Sequence, residues 1–253
     1  MQCGSQRKAV VVSSGADAAV DSRGKFEMRP WTVLIIPSSP ALVAELSPED
    51  APSRALCECA RYIIESLSPT SIDIVGTCDT NFRTNLEGSL KAWGAPQVHV
   101  GKGFYLPELL ARYVAQPFIA EHPRVEVTGI RSRLGEPRGG ALTIVVVDGS
   151  AGLTGKAPLA LIDGGEEIHQ LMEKLLAWGP QVMRDDATKA KFTALLTKEG
   201  GGVVHPDLWH ELSGLEIKES FLALSDSSLG VGRFVAVWQG DTAKRTTNTR
   251  YAE

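Results

Sequence analysis

The chain has 253 residues, 43% hydrophobic and 22% charged, with a formal net charge of −4. That is enough apolar material for a full core, in one large domain or two small ones. The charge balance gives no basic footprint for nucleic acid, and no apolar run approaches the roughly 18 residues of a membrane-spanning helix. Arg7 and Lys8 precede only the short run Ala9 to Val12, too little for the apolar segment of a secretory signal. The four cysteines, Cys3, Cys57, Cys59 and Cys78, have no second Cys or His pair at zinc-ligand spacing. They are expected to be the reduced thiols of a cytoplasmic protein.

Residues 1–27 show no lasting hydrophobic period and carry Ser-Gly-Ala-Asp and Asp-Ser-Arg-Gly-Lys stretches. They are expected to be a disordered tail that adds nothing to the core, with Met28 as the possible true start. Trp31 to Ile36 (WTVLII) predicts an immediate core strand, stopped by Pro37-Ser38-Ser39-Pro40. Leu56, Ala60, Ile63, Ile64 and Leu67 recur every three or four residues, which predicts a helix from about Pro52 to Leu67. Ser71 to Val75 predicts a strand that runs into Gly76-Thr77-Cys78-Asp79. A short strand at Gln97 to Val100, a helix from Leu106 to Ala115 and a strand from Val125 to Ile130 follow. The glycine-rich loop Arg131 to Gly140 delivers the chain into Leu142 to Val147.

That last run is near-continuously apolar and rich in β-branched residues, as in a strand buried on both faces. It ends in Asp148-Gly149-Ser150, small polar residues where open α/β sheets place their ligand crevices. The plainer reading is that Asp148-Gly149 merely turns the chain. Further on, helices are predicted over Glu166 to Trp178, about Asp185 to Leu196, and Pro206 to Leu212. Ser220 to Leu224 and Arg233 to Trp238, joined by a turn at Asp226 to Gly230, predict an antiparallel hairpin on the sheet edge. The polar tail over residues 241–253 is expected to fray. Together these elements predict a single α/β domain over residues 28–240. Its central sheet is mixed but mostly parallel, with helices on both faces and a C-terminal antiparallel hairpin.

Motifs that would settle the chemistry by themselves are absent. His205 and His210 are the only close pair of histidines, and a spacing of five puts them on different helical faces. His99 reads as a packed or edge histidine. Gly101-Lys102-Gly103 lacks the remaining glycines, or the Gly-Lys-Ser end, of phosphate-binding loops. Gly149-Ser150-Ala151-Gly152 lacks the spacing of a hydrolase nucleophile elbow.

Four segments taken in order carry a resemblance: Pro37-Ser38-Ser39-Pro40-Ala41-Leu42, Ile74-Val75-Gly76-Thr77-Cys78-Asp79, Val147-Asp148-Gly149-Ser150-Ala151 with Lys156-Ala157-Pro158, and Leu229-Gly230-Val231-Gly232-Arg233-Phe234-Val235-Ala236. Over roughly residues 31 to 238 the chain resembles the class III extradiol ring-cleavage dioxygenases of catalytic B-subunit type and their Memo-like relatives, in particular an actinobacterial branch. The resemblance implies non-haem iron held by two histidines and a carboxylate, with a further histidine for acid–base work. The chain departs from that pattern. Ser38 stands where the family has the histidine of Pro-His-Pro, Cys78 or Asp79 where it has the second ligand, and Ala151 where it has the acid–base histidine. Glu211, Glu216 and Glu219 are candidates for the carboxylate.

Two expectations follow. In the first, the chain is a catalytically degenerate member of the fold, with no cofactor, that binds a small molecule or a partner in the former crevice. Ser38, Ser39, Cys78, Asp79, Asp148, Ser150 and Lys156 would line that crevice. In the second, it is a metal-dependent oxidoreductase or hydrolase with a carboxylate-rich ligand set drawn from Asp79, Asp148, Cys78 and a late Glu. The first is favoured, because carboxylate sites suit hard cations more than oxygen-activating iron. No nucleic-acid or membrane partner is expected, and the oligomeric state is left open. If the strands are parallel neighbours, Ser38, Asp79 and Asp148 meet at one edge of the sheet, with a proton, a cation or Lys156 between the carboxylates. Against this, Asp79 could simply cap a turn.

Overall fold

The computed structural model describes residues 30–241. The expected tail 1–27 lies outside the described residues, as does the expected tail 241–253 except for Asp241, which ends the last strand.

Six strands form one mixed sheet in the order β3-β2-β4-β1-β6-β5. They are β1 (Pro30–Ile36), β2 (Ser71–Gly76), β3 (Glu126–Arg131), β4 (Leu142–Val146), β5 (Glu219–Asp226) and β6 (Arg233–Asp241). The first four are mutually parallel, and β6 runs antiparallel to both β1 and β5. β4 sits between β2 and β1, and all five of its residues are buried. This is why its sequence does not alternate: neither face meets water.

The side chains of the central strands feed two separate cores. Leu34, Ile36, Ile72, Ile74, Ile144 and Val146 point to the face covered by α1 (Ala51–Leu67) and α2 (Leu106–Glu121). Val33, Ile35, Val75, Val145 and Val147 point to the opposite face. There they meet α3 (Gly165–Trp178), α4 (Asp186–Leu195) and α6 (Pro206–Ser213); the four-residue α5 (Lys198–Gly201) links α4 to α6. Helices on both faces and one continuous sheet bear out the predicted fold class. No helix among the described residues is long and apolar enough to cross a membrane.

Helix ends follow local chemistry. Asp50 caps α1 by accepting from the Ser53 N–H at 3.2 Å, and Pro52 sits in the first turn, where its missing N–H costs nothing. α2 runs past Pro117 to Glu121, six residues beyond the expected end at Ala115. Proline at that position orphans the carbonyl four residues earlier, that of Tyr113. The Arg61 guanidinium donates to that carbonyl at 3.4 Å, and Phe118 keeps the last turn packed.

Two other expectations need correction. Gln97 to Val100 is not a strand of the sheet. It makes one bridge, Ser89 to His99, within a loop whose Gly94, Gly101 and Gly103 all have positive φ. The C-terminal hairpin is longer than expected, and only β5 is at an edge. β6 is interior, wedged between β5 and β1.

Candidate functional site

Because β1, β2 and β4 are parallel neighbours, the loops after Ile36, Gly76 and Val146 leave from one edge of the sheet. β6 runs the other way, so its first residues, Gly232 and Arg233, start from this same edge. The four segments singled out in the sequence therefore converge.

Asp148 is the centre of the convergence. Its Oδ1 accepts from the Ser38 backbone N–H at 2.8 Å, which ties the loop after β4 to the loop after β1. Its carbonyl accepts from the indole N–H of Trp209 on α6, also at 2.8 Å. Burial pushes the Asp148 carboxyl up to about 6, against the opposing pull of the Ser38 N–H and the Arg233 guanidinium. The cation that acts on this carboxyl is thus Arg233, not Lys156, which is exposed and without a hydrogen bond or ion pair among the described residues.

Arg233 is fully buried. Its Nε donates to Asp226 at 3.0 Å, its Nη1 to Asp50 at 3.2 Å and its Nη2 to Ser228 at 3.2 Å; Nη1 also donates to Ser53. Two carboxylates around one guanidinium leave this buried cluster compensated. Arg233 stands in the fourth resembling segment as a lone cation at the head of the apolar run of β6.

The remaining predicted residues divide. Asp79 lies at the expected edge, and its Oδ1 caps a short 3₁₀ turn by accepting from the Asn81 N–H at 2.9 Å. Its charge also acts on His205, which stands just before α6, edge-on to Phe82 with centroids 5.4 Å apart. Burial holds the His205 ring below its usual range despite Asp79 and Asp207, so the imidazole is neutral near pH 7. Its Nε2 is buried and has no partner among the described residues. α6 thus spans the edge, with His205 towards the β2 loop and Trp209 against the β4 loop. His205 and His210 thus face different surroundings, and it is His205 that meets the loop after β2.

Ser39 accepts from the Ala41 N–H at 3.4 Å and starts the 3₁₀ turn over Pro40–Leu42. Cys78 is partly buried, and its thiol is pushed up by that burial and by the Glu108 charge, which makes it a poor nucleophile. Ser150 is fully buried; its Oγ accepts from the Gly152 N–H at 3.1 Å. A Cβ on Gly202 would come within 2.9 Å of that oxygen, so Ser150 is walled in by backbone rather than open to a crevice. The loop after β4 is similarly tight at Gly149, whose N–H donates to the Gly232 carbonyl at 2.7 Å. A Cβ on Gly149 would lie 2.8 Å from the Phe234 ring.

Iron, which the family resemblance implies, does not fit these donors. Ser38 offers a hydroxyl, Ala151 a buried methyl, and Asp148 is turned to the Ser38 N–H. Glu219 pairs with Gln239 near the end of β6, at the opposite edge of the sheet. Glu216 lies at that opposite edge too, its carbonyl close to Gly240. Glu211 is at the right edge, but its Oε2 is held by the N–H groups of Leu134 and Gly135 at 2.6 and 2.9 Å. Among the described residues no three His, Cys, Asp or Glu side chains gather as a metal site. Two open hollows, of about 390 and 300 Å³, lie elsewhere, and none of the seven predicted residues lines either.

No model of a known protein family matches the chain, and no curated protein matches it significantly.

Proposed function

We propose that the chain is a class III extradiol dioxygenase-like protein that does not cleave aromatic rings and binds a small polar molecule at the carboxyl edge of its sheet. One observation carries this reading: the Ser38 N–H on the Asp148 carboxylate at 2.8 Å, which joins two of the resembling segments at one edge. Ser38 replaces a ligand histidine of the family pattern, and Ala151 replaces its acid–base histidine. What this edge offers instead is hydrogen bonding. Asp148 gains or loses a proton near pH 6, and the neutral His205 presents an unpartnered ring nitrogen. Both suit a ligand with hydroxyl groups, which can donate and accept. The plainer alternative, that Asp79 and Asp148 only hold their own loops, is favoured for Asp79 by the Asn81 contact, while the contact of Asp148 with Ser38 across two loops supports a shared edge.

The test uses catechol as the probe. Protein supplied with Fe²⁺ and catechol is expected to take up no oxygen above background. Titration of the ¹⁵N-labelled protein with catechol is expected to shift the amides of Ser38, Asp79, Asp148 and His205. Oxygen uptake at enzymatic rates, abolished by a chelator, would establish the metal-dependent alternative. Shifts confined to other surfaces, or no shifts, would remove the crevice.

A further inference from the structure

A second hollow lies at the far end of α6 from His205, where that helix meets α4 and the 3₁₀ turn over Pro180–Met183. It measures about 300 Å³, the lower end of the range that small-molecule sites occupy. Its floor is apolar: Met183 and Phe192 are buried, and Pro180 completes it. Its rim is basic. Lys189 on α4 and His210 in the last turn of α6 both line it, as does the exposed Thr193. Among the described residues neither the Lys189 ammonium nor the His210 ring has a hydrogen-bond or ion-pair partner. Of the nearby carboxylates, Asp185 caps α4 through the Thr188 N–H and Glu211 binds the loop after β3, while Asp186 and Asp207, three residues before Lys189 and His210 respectively, make no ion pair with them.

An apolar floor under two nitrogen groups without a bonded partner suits one chemistry. We infer that this hollow binds a small monocarboxylate with a short apolar body. The carboxylate is held by Lys189 and His210, and the apolar body lies on Phe192, Met183 and Pro180. A charge-assisted hydrogen bond from the Lys189 ammonium and a second from the His210 ring fix the head group, and exclusion of water from the floor holds the tail. The site is independent of the Ser38–Asp148 crevice, with which it shares no residue.

Hexanoate is the probe, with hexan-1-ol as its uncharged counterpart. Titration of the ¹⁵N-labelled full chain should give saturable shifts at Lys189, Phe192, Thr193 and His210. The dissociation constant should be on the order of 1 mM, which so few atoms can reach. Lys189→Gln and His210→Gln, both at exposed positions, should each weaken binding by about threefold to fivefold. Thr193→Trp should block the mouth and abolish binding, while Asp148→Asn leaves it unchanged. Unsaturated or scattered shifts up to about 10 mM, an unchanged affinity in Lys189→Gln/His210→Gln, or hexan-1-ol binding as tightly as hexanoate would overturn the inference.

Discussion

At the scale of single residues, Asp148 couples the site to folding. Its carboxyl has a folded value of about 6 against an ordinary 3.8, so the folded state holds this proton more tightly than the unfolded state does. Stability is therefore unaffected by this group below about pH 4, falls as pH rises through the window up to about 6, and stays reduced above it. A fully enclosed shift of this size would cost about 3 kcal/mol; because the residue keeps some contact with solvent, about 1 to 2 kcal/mol is expected. Asp148→Asn keeps an oxygen for the Ser38 N–H and removes the charge. It should raise the urea midpoint at pH 7.5 and leave it unchanged at pH 4; equal midpoints at both pH values would refute the linkage. Asp148 was legible in the sequence because a polar residue directly after a buried parallel strand has few places to go. Ser150, two residues on, looked equally eligible, but nothing in its spacing shows that Gly165 and Gly202 close over it. His205 and Trp209 were not legible, since the loops they meet are more than a hundred residues away or on another strand end.

At the scale of elements, β6 carries more than a hairpin strand ordinarily does. It brings the buried Arg233 between Asp226 on β5 and Asp50 at the start of α1, so one guanidinium fastens the sheet to a helix cap. Arg233→Met leaves two partly buried carboxylates without their cation and should cost about 3 to 5 kcal/mol, read as a lower urea midpoint at pH 7. Adding Asp50→Asn and Asp226→Asn should recover much of that loss; no recovery would mean that the packing of the Arg233 stem, not its charge, matters. The outer strand β5 is open, with Phe221 exposed. Pairing of two β5 edges antiparallel about the Leu222–Ala223 centre would set Glu219 opposite Asp226, and like charges directly opposite oppose such pairing. The irregular register between Leu222 and Leu224 bends the same edge. Most helices and strands were readable from apolar period alone, and most ends fell within a few residues. The strand expected over Gln97 to Val100 did not form, and α2 ran on because Arg61 supplied the bond that Pro117 removes, a tertiary contact with no local signature.

At the scale of the whole molecule, the sheet separates two apolar cores, one under α1 and α2, the other under α3, α4 and α6. The alternation that feeds both was visible as unbroken apolar runs in β1 and β4. The strand order was not. Placing β4 between β1 and β2 requires the chain to return from β3 across β2, and no local pattern specifies that path. The convergence of Ser38 and Asp148 depended on this order, which is why strand ends could suggest a shared edge but only the fold brings the two loops together.

The position of β6 bears on how the protein is made. β1 is among the first described segments to leave the ribosome, and its neighbour on one side is nearly the last, with Pro30 paired to Asp241 and Trp31 to Gly240. Until β6 emerges, one long side of β1 waits with unpaired backbone groups and the bare indole of Trp31, against which Gly240 later packs. The sheet therefore cannot close before β6 has been made, and non-local pairing of this span makes closure slow. Chains halted at Gly232 should accumulate in the insoluble fraction of a pulse-labelled cell-free synthesis while full-length chains clear it; equal solubility would show that β1 is protected by some other means before its partner arrives.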